Sequence, residues 1–134
     1  MSRADGNLWQ GKSVLVVDDY QAVRKTIKEL FATMGLAVTE AANGMEALEH
    51  LNGPKSFELI ITDLVMAEMD GFELTEMVKN NPKLRKIPVV ILSTHADYKY
   101  IFRALRLGAD DYLIKPPTAE MVNIVLARVF NHEW

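Results

Sequence analysis

Cysteine is absent from the 134 residues. That excludes disulfide staples and thiolate metal ligands, and it fits a reducing compartment, so a cytoplasmic location is the expectation. A basic excess is missing too: 15 Lys and Arg stand against 18 Asp and Glu, a formal charge of −3. Nucleic-acid binding normally shows as clustered cations facing phosphates, and direct binding of that kind is not expected here. Long apolar runs are also lacking. Nothing approaches the roughly 20 residues that cross a bilayer, and the opening M-S-R-A-D-G-N-L-W-Q-G-K has no apolar signal core. Membrane insertion is therefore not expected.

What is present suits one ordinary domain. The length is near the commonest domain size, and 49% hydrophobic with 25% charged residues is typical of a globular chain. Residues 1–11, polar with two glycines, read as a flexible leader to a domain over 12–134, with Leu8 and Trp9 able to pack back on it. Ser13 to Val17 is a continuous apolar strand ending in Asp18-Asp19. A helix then begins at Asp19 or Tyr20 and carries Val23, Ile27, Leu30, Phe31 and Met34 at helical spacing, with Gly35 as its stop. Leu36 to Ala41 is a weaker strand, and Asn43 caps a helix through Met45, Leu48 and Leu51. Phe57 to Ile61 is a buried strand, ending at Asp63. Asp70-Gly71 leads into a third helix with Phe72, Leu74, Met77 and Val78. Val89 to Ser93 is a fourth strand. Asp97 caps a fourth helix whose Tyr98, Ile101, Phe102 and Leu105 fall on one face, expected to be the core face. Asp111 to Lys115 is the fifth strand, and Thr118 caps the last helix through Val122, Val125, Leu126 and Val129.

Strands that are apolar throughout are buried on both faces, which predicts a parallel sheet with helices on each side. Right-handed crossovers make this an α/β doubly wound layer. In such a sheet every strand's carboxyl end lies on one edge, where ligands bind. Strand one delivers Asp18 and Asp19 there, strand three Asp63, strand four Ser93 and strand five Lys115. Taken singly, each has a bland reading: Asp19 and Ser93 as caps, Asp63 as a turn residue, Lys115 as a solvated lysine. Together they point to chemistry. Three converging carboxylates stay ionised only beside a cation, and an all-oxygen donor set favours Mg²⁺ (or Mn²⁺). Metal, ammonium and hydroxyl would suit a phosphoryl group, and an aspartate can itself attack phosphorus to give an acyl phosphate.

These motifs resemble the receiver domain of two-component response regulators, the chemotaxis-regulator-like fold. V-L-V-V-D-D is similar to the acidic pair and I-I-T-D-L-V-M-A-E-M-D-G to the phosphoacceptor strand and loop. P-V-V-I-L-S is similar to the switch-hydroxyl strand and G-A-D-D-Y-L-I-K-P-P to the aromatic-plus-lysine strand. The resemblance covers about Lys12 to Phe130 and implies a flavodoxin-like (βα)5 fold, a five-stranded parallel sheet with strand order 2-1-3-4-5. It implies Asp63 as phosphoacceptor, fed by a histidine kinase or phosphotransfer protein, and Asp18, Asp19, Asp63 and the Val65 backbone carbonyl as metal ligands. It implies Ser93 as switch hydroxyl, Lys115 as salt-bridge partner, Tyr112 as aromatic switch and a cis Lys115-Pro116 bond. Without the family, Tyr112 would read as a core aromatic on an edge strand rather than as a switch. No enzyme in the ordinary sense is implied, only self-catalysed phosphotransfer and slow autodephosphorylation.

Three departures from the family pattern stand out. Ala67 occupies the usual proline position four after the phosphoacceptor, and Thr94 follows the switch hydroxyl where alanine or glycine is usual. Val65 and His95 hold the positions that influence acyl-phosphate hydrolysis. Valine cannot orient an attacking water, so a long-lived phosphorylated state is expected. The resemblance further implies output through the fourth helix, fifth strand and last helix, to an effector or a homodimer. Tyr100, expected opposite the core stripe, and Ile124 and Phe130, off the last helix's stripe, support such a face, although isolated surface apolar residues are common. A haloacid-dehalogenase-like phosphatase also uses aspartate and Mg²⁺. It would place its nucleophile after strand one with a second aspartate two residues on, which Asp18-Asp19-Tyr20 lacks. A pseudo-receiver that binds partners without phosphate is a third reading. Only Asn131 to Trp134 follow Phe130, leaving open a stand-alone receiver or one excised from a longer regulator.

Overall fold

The computed structural model describes residues 9–130. Along them run β1 (Ser13–Val17), α1 (Gln21–Ala32), β2 (Ala37–Ala41), α2 (Gly44–Leu51) and β3 (Leu59–Thr62). Then follow α3 (Gly71–Lys79), β4 (Val89–Ser93), α4 (Tyr98–Arg106), β5 (Asp111–Ile114) and α5 (Ala119–Val129). All strand pairings are parallel, in the order β2-β1-β3-β4-β5. The expected doubly wound fold is the one observed.

Strand alternation sorts the core into two layers. Val14, Val16, Leu59, Ile61, Val90, Leu92 and Leu113 face Ile27 and Phe31 of α1 and Val122, Val125 and Leu126 of α5. Leu15, Val17, Ile60, Val89 and Ile91 face Ala47 and Leu51 of α2, Phe72, Leu74 and Val78 of α3, and Ala104 of α4. Each fully buried Leu, Ile or Val contributes roughly 1.5–3 kcal/mol relative to exposure. Helix starts follow the expected caps. Asn43 accepts from the Glu46 amide at 2.9 Å, Asp97 from Lys99 at 2.9 Å and Thr118 from Met121 at 3.2 Å. Asp70 adds a full capping box with Glu73, a reciprocal pair beyond the caps expected from the sequence. α1 alone starts without a side-chain cap, behind Tyr20. The carboxylates that could have capped it are drawn to the sheet edge instead.

The leader expected over residues 1–11 lies, for residues 1–8 including Leu8, outside the described residues. Trp9, from its end, is 2% exposed and belongs to the α1–α5 layer. Its indole N–H donates to Asn123 Oδ1 at 2.9 Å, and its ring lies 5.7 Å from that of Phe130. Phe130, expected off the core stripe, is thus half-buried beneath Trp9, with the Lys12 ammonium 4.8 Å from its ring centre.

α4 departs most from expectation. Tyr98, Phe102 and Leu105 are 76%, 59% and 46% exposed; Ala104 is its buried residue, with Ile101 half-buried. Tyr100, expected to face solvent, is 36% exposed, while its ring stacks 6.3 Å from that of Phe72 and lies 4.6 Å from that of His95. The apolar stripe of this helix therefore faces outward. The space beside the edge strand admits a methyl at Ala104 and one aromatic plane, not a row of large side chains. Met45 and Met77, on the apolar patterns of α2 and α3, are likewise about half exposed, at 50% and 47%.

Candidate functional site

The register of the sheet builds the site. β1 and β3 pair Val17 with Thr62, so the residues that follow, Asp18 and Asp63, emerge side by side. The Asp63 amide donates to the Val17 carbonyl at 2.9 Å. β4 and β5 pair Ser93 with Ile114, and the Lys115 amide donates to the Ser93 carbonyl at 2.8 Å. The Lys115-Pro116 peptide is cis. From that position the Lys115 ammonium reaches across the sheet edge, 2.7 Å from Asp18 Oδ2 and 3.2 Å from Asp63 Oδ2.

Asp18, Asp19 and Asp63 bring carboxylate oxygens within 4.8 Å of one another. Asp18 and Asp63 are buried, at 1% and 8% exposure, and Asp19 is open to solvent. Each buried carboxylate is also held by backbone. Asp18 Oδ1 accepts from the Tyr20 amide at 3.0 Å and Asp63 Oδ1 from the Leu64 amide at 2.7 Å. Burial pushes the Asp63 carboxyl above the usual carboxylate range. Lys115 and the Leu64 amide pull against that shift, while the Asp18 charge reinforces it. Burial likewise opposes the charge of Lys115, but its pairing with Asp18 and Asp63 prevails and holds the ammonium above its ordinary value. One cation among three anions leaves a net negative pocket. Such an all-oxygen donor set is one that a divalent ion completes, so the residues present fit a bound metal.

Beside the carboxylates is a cavity of about 360 Å³, walled by Asp19, Tyr20, Val23, Asp63, Val65, Thr94, His95 and Lys115. Val65 is 58% exposed at its mouth. Ser93 is fully buried, one residue inside Thr94, and its Oγ accepts the His95 amide at 3.1 Å. The Tyr112 hydroxyl donates to the His95 carbonyl at 2.7 Å. Burial pushes that phenol above its usual range. Ser93 and Tyr112, from neighbouring strands, therefore meet on the backbone of the same loop residue.

Sequence reasoning missed three contributors. Gly71 packs so closely beneath the loop that a Cβ there would fall on the Asp63 carbonyl oxygen, and its amide donates to Leu64 O at 2.8 Å. Its position just after Asp70 marked a turn but gave no sign of this contact. Arg24 donates to the Asp18 carbonyl at 2.6 Å while its Nε pairs with Glu40 at 2.9 Å. A charged residue early in α1 looks like any solvated lysine or arginine. Glu68, with φ +67°, is the one non-glycine in the left-handed region among the described residues, and it sits in the loop that follows Asp63.

The family model of the response regulator receiver domain matches residues 14–126. The chain is a member of the response regulator receiver family. Among its relatives, this receiver is 40% identical over 116 residues to the two-component response regulator ORR11 of Oryza sativa, covering 87% of this chain and 79% of that one. It is 33% identical over 110 residues to the chemotaxis protein CheY1 of Helicobacter pylori, covering 81% and 89%. Among solved structures, chemotaxis protein CheY4 of Vibrio cholerae superposes with a TM-score of 0.82 at 30% identity, covering 89% of this receiver and 98% of that chain. Among the described residues no helix is long and apolar enough to cross a membrane.

Proposed function

We propose that this receiver is switched by phosphorylation of Asp63. The observation that carries the reading is the Lys115 bridge to Asp18 and Asp63 inside a buried acidic cluster. It supports the reading by bringing a carboxylate oxygen, a fixed cation and an all-oxygen donor set together beside one cavity. An Asp63 carboxylate oxygen attacks phosphorus as the donor's P–N bond breaks, the electron pair leaving with the imidazole of a histidine kinase or histidine phosphotransfer protein. Lys115 stays within reach of a phosphoryl oxygen. Asp18, Asp19, Asp63 and the Val65 carbonyl are the groups that would hold Mg²⁺ (or Mn²⁺), which supplies charge neutralisation for the phosphoryl oxygens when bound. Asp63, raised above the usual range by burial, must be ionised to attack, and its neighbours Lys115 and the Leu64 amide favour that form.

Ser93 and Tyr112 are the switch pair. Both hold His95, through its amide and its carbonyl, so a Ser93 hydroxyl drawn to a phosphoryl oxygen reorganises the loop against which Tyr112 rests. The change reads out at α4, β5 and α5, where Tyr98, Phe102, Leu105 and Ile114 are exposed, to an effector or a second copy of the chain. Stable phosphorylation is favoured by Val65, which offers no group to orient water. The protein acts in the cytoplasm, without direct nucleic-acid contact.

Intact-protein mass after incubation with Mg²⁺ and acetyl phosphate tests the reading. One phosphate adduct in the native protein and none in Asp63→Asn is the expected result. A folded protein that takes up no phosphate would overturn it and leave a receiver that binds partners unphosphorylated, with Thr94 and Ala67 the first residues to revert towards the family pattern.

A further inference from the structure

His95 is held at three points, each by a different element. Its amide donates to Ser93 Oγ of β4 at 3.1 Å, its carbonyl accepts from Tyr112 of β5 at 2.7 Å, and its ring lies 4.6 Å from Tyr100 of α4 at an interplanar angle of 30°. The first two contacts fix the backbone alone. Among the described residues the third is the contact that restrains the imidazole, a side chain that walls the phosphoryl cavity together with Val65 and Thr94. Tyr100 is itself braced from behind. Its ring stacks 6.3 Å from Phe72 at 15°, and Phe72 carries the Arg103 guanidinium 4.0 Å from its ring centre. Phe72 is 5% exposed and sits next to Gly71, the residue against the Asp63 carbonyl. A column of planar groups thus runs from the base of the phosphoacceptor loop, through α4, to the cavity wall.

Of the side chains that line the cavity, Val65 has no hydrogen-bonding atom, Thr94 has a hydroxyl and the His95 imidazole has two nitrogens. Hydrolysis of the acyl phosphate needs a water whose oxygen bonds to phosphorus while the P–O bond to Asp63 breaks. The electron pair returns to the Asp63 carboxylate, and the water's proton passes to solvent or phosphate. A mobile imidazole can swing to orient that water; stacking on Tyr100 leaves its ring nitrogens available but limits that swing. We propose that Tyr100 is a positioning residue for phosphate retention: its ring holds the His95 imidazole against α4 and so limits how far that imidazole can swing to orient the attacking water. This rests on Asp63 being the phosphoacceptor.

The test follows loss of the phosphate adduct in Mg²⁺ after removal of acetyl phosphate, for the native chain and three variants. Tyr100→Ala frees the ring and shortens the adduct's half-life severalfold. Tyr100→Phe keeps the stacked plane and keeps the native half-life. Tyr100→Ala with His95→Ala removes the freed imidazole and returns the half-life to near the native value. An unchanged half-life in Tyr100→Ala overturns the proposal. So does acceleration that persists in the double variant, because it would mean that the mouth has merely opened. Absence of any adduct in the native chain would instead sink the phosphoacceptor reading itself, so the two failures are distinguishable.

Discussion

At the scale of single residues, the site stores an electrostatic conflict. Asp63 is buried next to another carboxylate, and its carboxyl sits above the ordinary value of 3.8 because burial penalises its charge. A carboxyl whose folded value is raised favours the fold while protonated, and that contribution is lost as pH rises through the raised value. Asp63→Asn, which removes the charge and keeps the shape, is therefore expected to stabilise the fold at neutral pH. A gain of about 1 kcal/mol would move the melting temperature by roughly 2–8 °C. Thermal melts of both proteins from pH 3 to 8 check this. The gap should be small near pH 3, open as Asp63 ionises, and stay open at neutral pH. Added Mg²⁺ should narrow it by stabilising the native chain more than the variant, as any ligand does that binds only the folded state. The residues behind this conflict were legible in the sequence because each closes an apolar strand, and a parallel sheet aligns such ends. Arg24 and Gly71 were not, since their importance lies in a carbonyl each approaches, and a carbonyl leaves no mark on a sequence.

At the scale of elements, strands were easier to read than helix faces. A strand buried on both sides is apolar at every position, so Val89 to Ser93 needed no choice of face. α4 did need one, and its large apolar residues gave the wrong answer. The helix packs through Ala104 and the plane of Tyr100, leaving Tyr98, Phe102 and Leu105 outside. Two substitutions separate the two descriptions. Phe102→Ser should change unfolding free energy by no more than about 0.5 kcal/mol, as exposed positions do. Ala104→Leu should cost about 1–3 kcal/mol by overpacking a filled space. Denaturant melts measure both. A large loss in Phe102→Ser with a tolerant Ala104→Leu would restore the sequence-based face. The same outward stripe is a reason to follow Phe102→Ser by sedimentation, with and without phosphorylation. Loss of self-association there, at unchanged stability, would identify the face as the dimer contact.

At the scale of the whole molecule, the two core layers close at different places. One closes around α2, α3 and α4; the other closes only when Trp9 is laid over the end of α5. Composition pointed to a loose leader whose Leu8 and Trp9 could pack back on the domain, and Trp9 does so, although a single aromatic has no periodicity to say where it would land. Trp9→Ala removes a fully buried ring and its hydrogen bond to Asn123, and is expected to cost about 3–5 kcal/mol. A urea titration of the variant measures the loss, and phosphate uptake in the fraction still folded should be near native. A loss below about 1 kcal/mol would mean that the segment is an ornament on an independently stable domain.

The meeting of Trp9 with Phe130 also sets where the molecule can be handled. Those rings lie at the pole where the strands begin, while Asp18, Asp63 and Lys115 lie at the pole where they end. The two ends of the described span thus meet at one spot, away from the acidic cavity. Joining the flanks of Trp9 and Phe130 by a flexible linker, and cutting instead in the exposed turn at Gly53-Pro54, would give a circular order of the same elements with its chemistry untouched. Fluorescent or affinity tags at that pole would ride behind the receiver, leaving its reactive edge facing whatever delivers the phosphate.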